Sequence, residues 1–93
     1  MFDKMKQIME MKKQADQIKR ELDDIVVDVN EVPGINITLT GSQRFQEIAI
    51  SDEMLKPENK DRLKKDLTRS VNAAIKKSQN VAAQKMAAFM PQM

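Results

Sequence analysis

Cysteine, histidine, tryptophan and tyrosine are all missing from this chain of 93 residues. With no thiol and no imidazole there is no disulfide, no Cys-His or Ser-His nucleophile pair, and no zinc site of the usual ligands. Glycine occurs only at Gly34 and Gly41, so a glycine-rich phosphate loop cannot be built. Phe2, Phe45 and Phe89 are the only aromatics, and the core must be aliphatic with methionine as filler. No apolar run approaches the roughly 18 residues of a membrane span. The opening MFDKMKQIMEMKK lacks the unbroken apolar stretch of a signal peptide. These absences predict a soluble cytoplasmic protein without membrane, metal, cofactor or small-molecule substrate.

Catalysis has little to work with. Ser42, Ser51, Ser70 and Ser78 have no evident base, and a serine nucleophile needs one. Asp23, Asp24, Asp28 and Glu31 cluster near the middle of the chain but lack the Asp-x-Asp-x-Asp-Gly pattern of a calcium loop. Paired-carboxylate hydrolysis remains open on sequence, with a solvated helix end and strand face as the plainer reading. The expectation is that the protein is not an enzyme.

What the chain does have is polarised charge. Residues 60–93 carry eight Lys or Arg against Asp61 and Asp66, a net +6, whereas residues 1–59 carry eight basic and twelve acidic side chains, a net −4. A basic segment of this kind points to a polyanion partner.

The pattern predicts an α+β single domain over residues 1–93: a long helix over 1–24, a three-stranded antiparallel meander over 25–50, a second long helix over 57–89 and a tail at 90–93. In the first helix Ile8, Met11, Ala15, Ile18, Leu22 and Ile25 are spaced by alternating threes and fours, which keeps one narrow apolar seam. Lys6, Lys13 and Arg20 recur on the opposite face, where a solvated charged surface is the plain explanation. From Ile25 the period changes to two, with Val27 and Val29 in phase. Val32-Pro33-Gly34-Ile35 suits a type II turn, Pro fixing φ and Gly supplying a positive one. Ile35, Ile37 and Leu39 make the second strand. Thr40-Gly41-Ser42-Gln43 has the glycine-first order of a two-residue II′ hairpin loop, and Phe45–Ile50 forms the third strand with Phe45 in its core. Ser51-Asp52-Glu53 can cap a helix start, and Pro57 suits a first helical turn. In the second helix Leu63, Leu67, Val71, Ala74, Ser78 and Val81 share one face, while Arg62, Lys65, Arg69 and Lys76 fall in a narrow arc on another.

Dimensions predict a second copy. Helices of about 23 and 30 residues reach roughly 35 and 45 Å, but three strands of about six residues make a patch only about 20 Å long. So small a sheet cannot cover both helices, and an exposed sheet edge is closed most simply by its twin. The expected assembly is a homodimer with a joined sheet and projecting helical arms. Ile8, Met11, Ile18, Leu22, Leu67, Val71 and Ala74 are its candidate contact residues.

The stripe Arg62, Lys65, Arg69 and Lys76 runs about 20 Å along a straight helix, a length commensurate with DNA phosphate repeats. Phosphate contacts draw affinity from counterion release and carry little base information. Lys77, Arg44 and the series Lys6, Lys13 and Arg20 are candidates to extend the footprint. Single-strand recognition is disfavoured because there is no aromatic platform. The alternative for all these residues is a helix kept soluble by its charge.

The order of elements, together with MKQIMEMKKQADQIKREL, ITLTGSQRFQEIAIS, Met54-Leu55 and LKKDLTRSVNAAIKKSQ, resembles the YbaB/EbfC family of bacterial nucleoid-associated proteins from about Met5 to Met86. Val29-Asn30-Glu31-Val32-Pro33-Gly34 departs from the glycine-rich turn usual there. The resemblance implies a tweezer-like homodimer that binds duplex DNA with modest sequence preference, sits on the nucleoid and affects its organisation and gene expression. RNA uses the same positive charge and is not separated from DNA by sequence. A competing reading is a prefoldin-like holdase chaperone or adaptor: Met1, Met5, Met9 and Met11, with Met86, Met90 and Met93, load the ends of the helices, although methionine more often fills gaps.

Overall fold

The computed structural model of the chain describes residues 2–89. A helix α1 (Phe2–Asp24) leads into strands β1 (Val26–Val32), β2 (Ile35–Thr40) and β3 (Phe45–Ile50). Two short 3-10 turns, Asp52–Leu55 and Pro57–Asn59, then precede the long helix α2 (Lys60–Phe89). The strands form one antiparallel sheet in the order β1-β2-β3. The expected α+β order of helix, meander and helix is the observed one. Met1 and the tail at 90–93, including Met90 and Met93, lie outside the described residues.

The core lies between the sheet and α2. Ile35, Ile37 and Leu39 on β2 are fully buried, flanked by Val27 and Val29 on β1 and by Ala74 on α2. Leu63, Leu67, Val71 and Val81 pack against this cluster from the helix. Removing each of the three β2 side chains from water contributes about 1.5–3 kcal/mol, which makes the central strand the anchor of the fold. Met54, from the first 3-10 turn, fills the end of the core.

Two buried serines on the core face of α2 are hydrogen-bonded rather than orphaned. Ser70 Oγ donates to the Asp66 carbonyl at 2.7 Å, and Ser78 Oγ donates to the Thr40 carbonyl at 2.8 Å. Small side chains at Ser70, Ala74 and Ser78, all buried, let the helix backbone approach the sheet closely.

The Pro33-Gly34 turn has the expected form, with Gly34 at φ +93°. The second hairpin differs from the II′ loop predicted for it. Gly41 has no positive φ; Gln43 takes the left-handed conformation at φ +67°. The Gln43 amide donates to the Thr40 carbonyl at 3.0 Å and the Thr40 amide to the Arg44 carbonyl at 2.9 Å, closing a three-residue loop with a bulge. Side chains favour this form: Ser42 Oγ donates to the Asp23 carboxylate, and the Arg44 amide donates to Thr40 Oγ1 at 3.1 Å. Gly41 serves close approach instead, since a Cβ there would lie 3.1 Å from the Leu22 carbonyl oxygen.

Two further expectations are corrected. Phe45 is 42% exposed and not strand core, because α2 packs on β1 and β2 and leaves β3 uncovered. The second helix begins at Lys60 and not at Pro57. Pro57 opens a tighter turn in which the Asn59 amide bonds to the Lys56 carbonyl and Asn59 Nδ2 to the Glu53 carbonyl, both at 2.9 Å. Ser51 stands before the first 3-10 turn but makes no side-chain capping bond.

The molecule measures 66 × 23 × 18 Å. Its length comes from α1, where residues 3–17 are all exposed. That exposed stretch spans about 22 Å. Only the last turns of α1 touch the body, through Ile18 and Leu22 and a Lys85–Glu21 ion pair at 3.8 Å.

Candidate nucleic-acid interface

Helix α2 presents its core face to the sheet, and three of its basic residues, Arg69, Lys76 and Lys77, lie on the flank that overlooks β1. Arg62, Lys65, Arg69, Lys76 and Lys77 are all exposed. They are not equally available. Arg62 Nε pairs with Asp66 one turn on, at 3.6 Å. Arg69 Nη2 reaches Glu31 Oε1 of β1 at 3.4 Å. Lys77 Nζ donates to the Asp28 backbone carbonyl at 3.0 Å. Among the described residues no side-chain hydrogen bond or ion pair engages Lys65 or Lys76. The stripe therefore mixes unengaged lysines with arginines already facing a carboxylate.

A shallow groove of about 430 Å³ separates α2 from the edge of β1 and is lined by Asn30, Glu31, Ala73, Lys76, Lys77 and Asn80. Its β1 wall is shaped by a bulge, the register shifting between Val29 and Val32. The extra residue breaks strict alternation, and Glu31 meets the Arg69 side chain on α2. Sequence reading assigned Glu31 to a solvated strand face. The bulge shows in the sequence only as a step of three from Val29 to Val32, and Glu31 itself continues the phase of Val27 and Val29 that faces α2.

The other candidate basic residues lie elsewhere. Lys6 and Lys13 are on the projecting part of α1, beside Met9 and Glu10. Arg20 is exposed and its Nε donates to the Asp16 carbonyl at 3.5 Å. Arg44 is exposed at the β2–β3 loop. Each of the four clustered acids has a distinct setting: Asp23 accepts from Ser42, Asp28 Oδ1 accepts from Thr38 Oγ1 at 2.8 Å, Glu31 faces Arg69, and Asp24 is exposed.

The candidate contact residues for a second copy divide into two groups. Ala74 and Leu22 are 0% and 8% exposed within the single chain, and Leu67 and Val71 pack on its core. Their apolar surface is largely used inside the chain. Ile8 and Met11 are 65% and 69% exposed, and Ile18 is half-buried. On β3, Phe45 and Ile48 leave apolar surface open beside an unpaired strand edge.

Residues 1–93 match the YbaB/EbfC DNA-binding family. The chain belongs to that family. A nucleoid-associated protein of Ruminiclostridium cellulolyticum is 30% identical over 83 residues, covering 88% of this chain and 72% of that protein. The crystal structure of an uncharacterized protein from Helicobacter pylori has the same fold, with a TM-score of 0.69 at 20% identity, covering 88% of this chain and 94% of that one. Membership in a DNA-binding family implies DNA as a partner. No helix among the described residues is long and apolar enough to cross a membrane.

Proposed function

We propose that this YbaB/EbfC family member is a cytoplasmic, nucleoid-associated homodimer that binds duplex DNA with little sequence preference and thereby affects nucleoid organisation and gene expression. The observation that carries the reading is the row Arg62, Lys65, Arg69 and Lys76 on the exposed flank of α2, extended by Lys77. Such a row tracks phosphates and reads few base edges. Lys6, Lys13 and Arg20 on the arm and Arg44 at the hairpin are further contacts in this reading.

The dimer forms through β3. An open edge carrying Phe45 and Ile48 favours pairing with a second copy, whereas the β1 edge is disrupted by its bulge and has Lys77 on the Asp28 carbonyl. The exposed seam at Ile8 and Met11 is available to the same assembly or to its arms. A joined sheet would bury the apolar surface that α2 leaves uncovered.

The test is fluorescence polarisation with two labelled duplexes of unrelated sequence across a salt series. Comparable affinities that fall steeply with salt support the reading, and no binding at low salt rejects it. The exposure of Met5, Ile8, Met9 and Met11 favours a second reading, a holdase whose arms hold apolar clients. Suppression of client aggregation without DNA binding would put that reading first.

A further inference from the structure

We infer that Glu31 is an internal competitor for DNA phosphate: its carboxylate occupies the Arg69 guanidinium in the free protein and must release it when a backbone phosphate enters the groove between β1 and α2. The inference rests on the DNA-binding reading above and adds to it a residue that limits affinity.

Three observations support it. First, the Arg69–Glu31 contact joins two elements across 38 positions of sequence, unlike Arg62–Asp66, which lies within one helix and moves with it. Second, Glu31 lies two residues beyond Val29 and four beyond Val27, in the phase of β1 that faces α2. The bulge after Val29 lets Val32 fill the core while Glu31 stays exposed at the groove. Third, Glu31 is the one acidic side chain lining a groove that also holds Lys76 and Lys77. Arg69 and Lys76 lie two helical turns apart, about 10 Å, so a strand of phosphates laid along α2 meets both. At Arg69 it meets a carboxylate already in place.

The energetics suit an exchangeable contact. The Arg69 and Glu31 side chains are 67% and 42% exposed, and exposed pairs of this kind are weak and screened by salt. A phosphate offers the guanidinium the same bidentate geometry as a carboxylate, and DNA binding gains from releasing its condensed counterions. The contact therefore yields to DNA, but it removes one cation from the footprint until it does. Its effect is to lower affinity and to flatten the dependence of binding on salt.

The experiment compares wild type, Glu31→Gln, Arg69→Gln and the double variant by fluorescence polarisation on one duplex across a salt series, with melting curves confirming that all four fold alike. Glu31→Gln is expected to bind about two- to five-fold more tightly at low salt, in line with the worth of an exposed ion pair. Its slope of log K against log salt should be steeper by up to about one. In the Arg69→Gln background the same change should add nothing. Equal binding by Glu31→Gln and wild type would overturn the inference. So would an equal gain in both backgrounds, because that is the effect of net charge alone. Absence of binding by all four proteins would overturn the DNA reading itself, and the competitor role with it.

Discussion

Ser78 and Thr40 fasten the long helix to the central strand. Ser78 Oγ, fully buried on α2, donates at 2.8 Å to the carbonyl of Thr40, the last residue of β2. The same carbonyl accepts the Gln43 amide at 3.0 Å, so one oxygen ties the helix to both the strand and the hairpin loop. Ser78→Ala should lower the free energy of unfolding by about 1 kcal/mol, the usual net worth of such a bond. Ser78→Leu should lower it by about 1–3 kcal/mol, since the close helix–sheet contact has no room for the added atoms. Urea denaturation followed by circular dichroism distinguishes these. Full stability of the leucine variant would mean the contact is looser than the geometry says.

Gly34 is held at φ +93°, and a Cβ there would meet Met54 Sδ and Ser51 Oγ at 2.9 Å. Gly34→Ala should therefore destabilise the protein by more than about 1 kcal/mol, because the backbone conformation and the neighbours both oppose it. A thermal melt is sufficient. An unchanged midpoint would require the turn to flip without loss.

These two positions also mark how far the sequence could be read. Gly34 follows proline, and that pair announces its turn through local chemistry alone. The seam of α2 was equally legible, because spacings of three and four report a face wherever the helix lies. The seam of α1, in contrast, meets the body only near Ile18 and Leu22 and is exposed at Ile8, Met11 and Ala15. Ser78 was placed on the correct face of α2, but its bond to Thr40 depends on how the helix crosses the sheet. Phe45 failed for the same reason: a third strand looks alike in sequence whether a helix covers it or stops one strand short. Gly41 misled in another way. Its sequence context matches a II′ loop, but the space beside the Leu22 carbonyl is a tertiary requirement, and Gln43 takes the left-handed position. At the candidate interface the basic stripe was visible as a period, whereas the meeting of Glu31 with Arg69 depends on how α2 crosses the sheet.

Ile48 offers a direct test of the proposed β3 pairing. It is 45% exposed in the single chain, so Ile48→Glu should be tolerated by the monomer fold. In a joined sheet the charge would be buried against the twin strand without a partner. The dimer dissociation constant should rise at least about tenfold, equivalent to about 1.4 kcal/mol. Light scattering across a dilution series reads this directly. A dimer of unchanged strength would move the interface away from β3, with the exposed Ile8 and Met11 seam as the next surface to probe.

The basic stripe is tested by replacing Arg62, Lys65, Arg69 and Lys76 together with glutamine, which keeps length and hydrogen bonding while removing charge. None of the four side chains is in the core, so fold and dimer should survive, and light scattering should show this before any binding is measured. If all four touch phosphate, the slope of log K against log salt should fall by up to about 3.6, at roughly 0.9 per contact. Binding to both duplexes should weaken alike, because phosphate contacts do not discriminate sequence. A smaller fall has its own meaning: Arg62 and Arg69 already face Asp66 and Glu31, so the two lysines should account for the larger part of the loss. Lys65→Gln with Lys76→Gln is therefore expected to weaken binding more than Arg62→Gln with Arg69→Gln. The reverse order would mean that leaving Asp66 and Glu31 costs the arginines little, and would count against Glu31 as a competitor. Unchanged binding by the fourfold variant would remove α2 from the interface and direct attention to Lys6, Lys13 and Arg20 on the projecting arm.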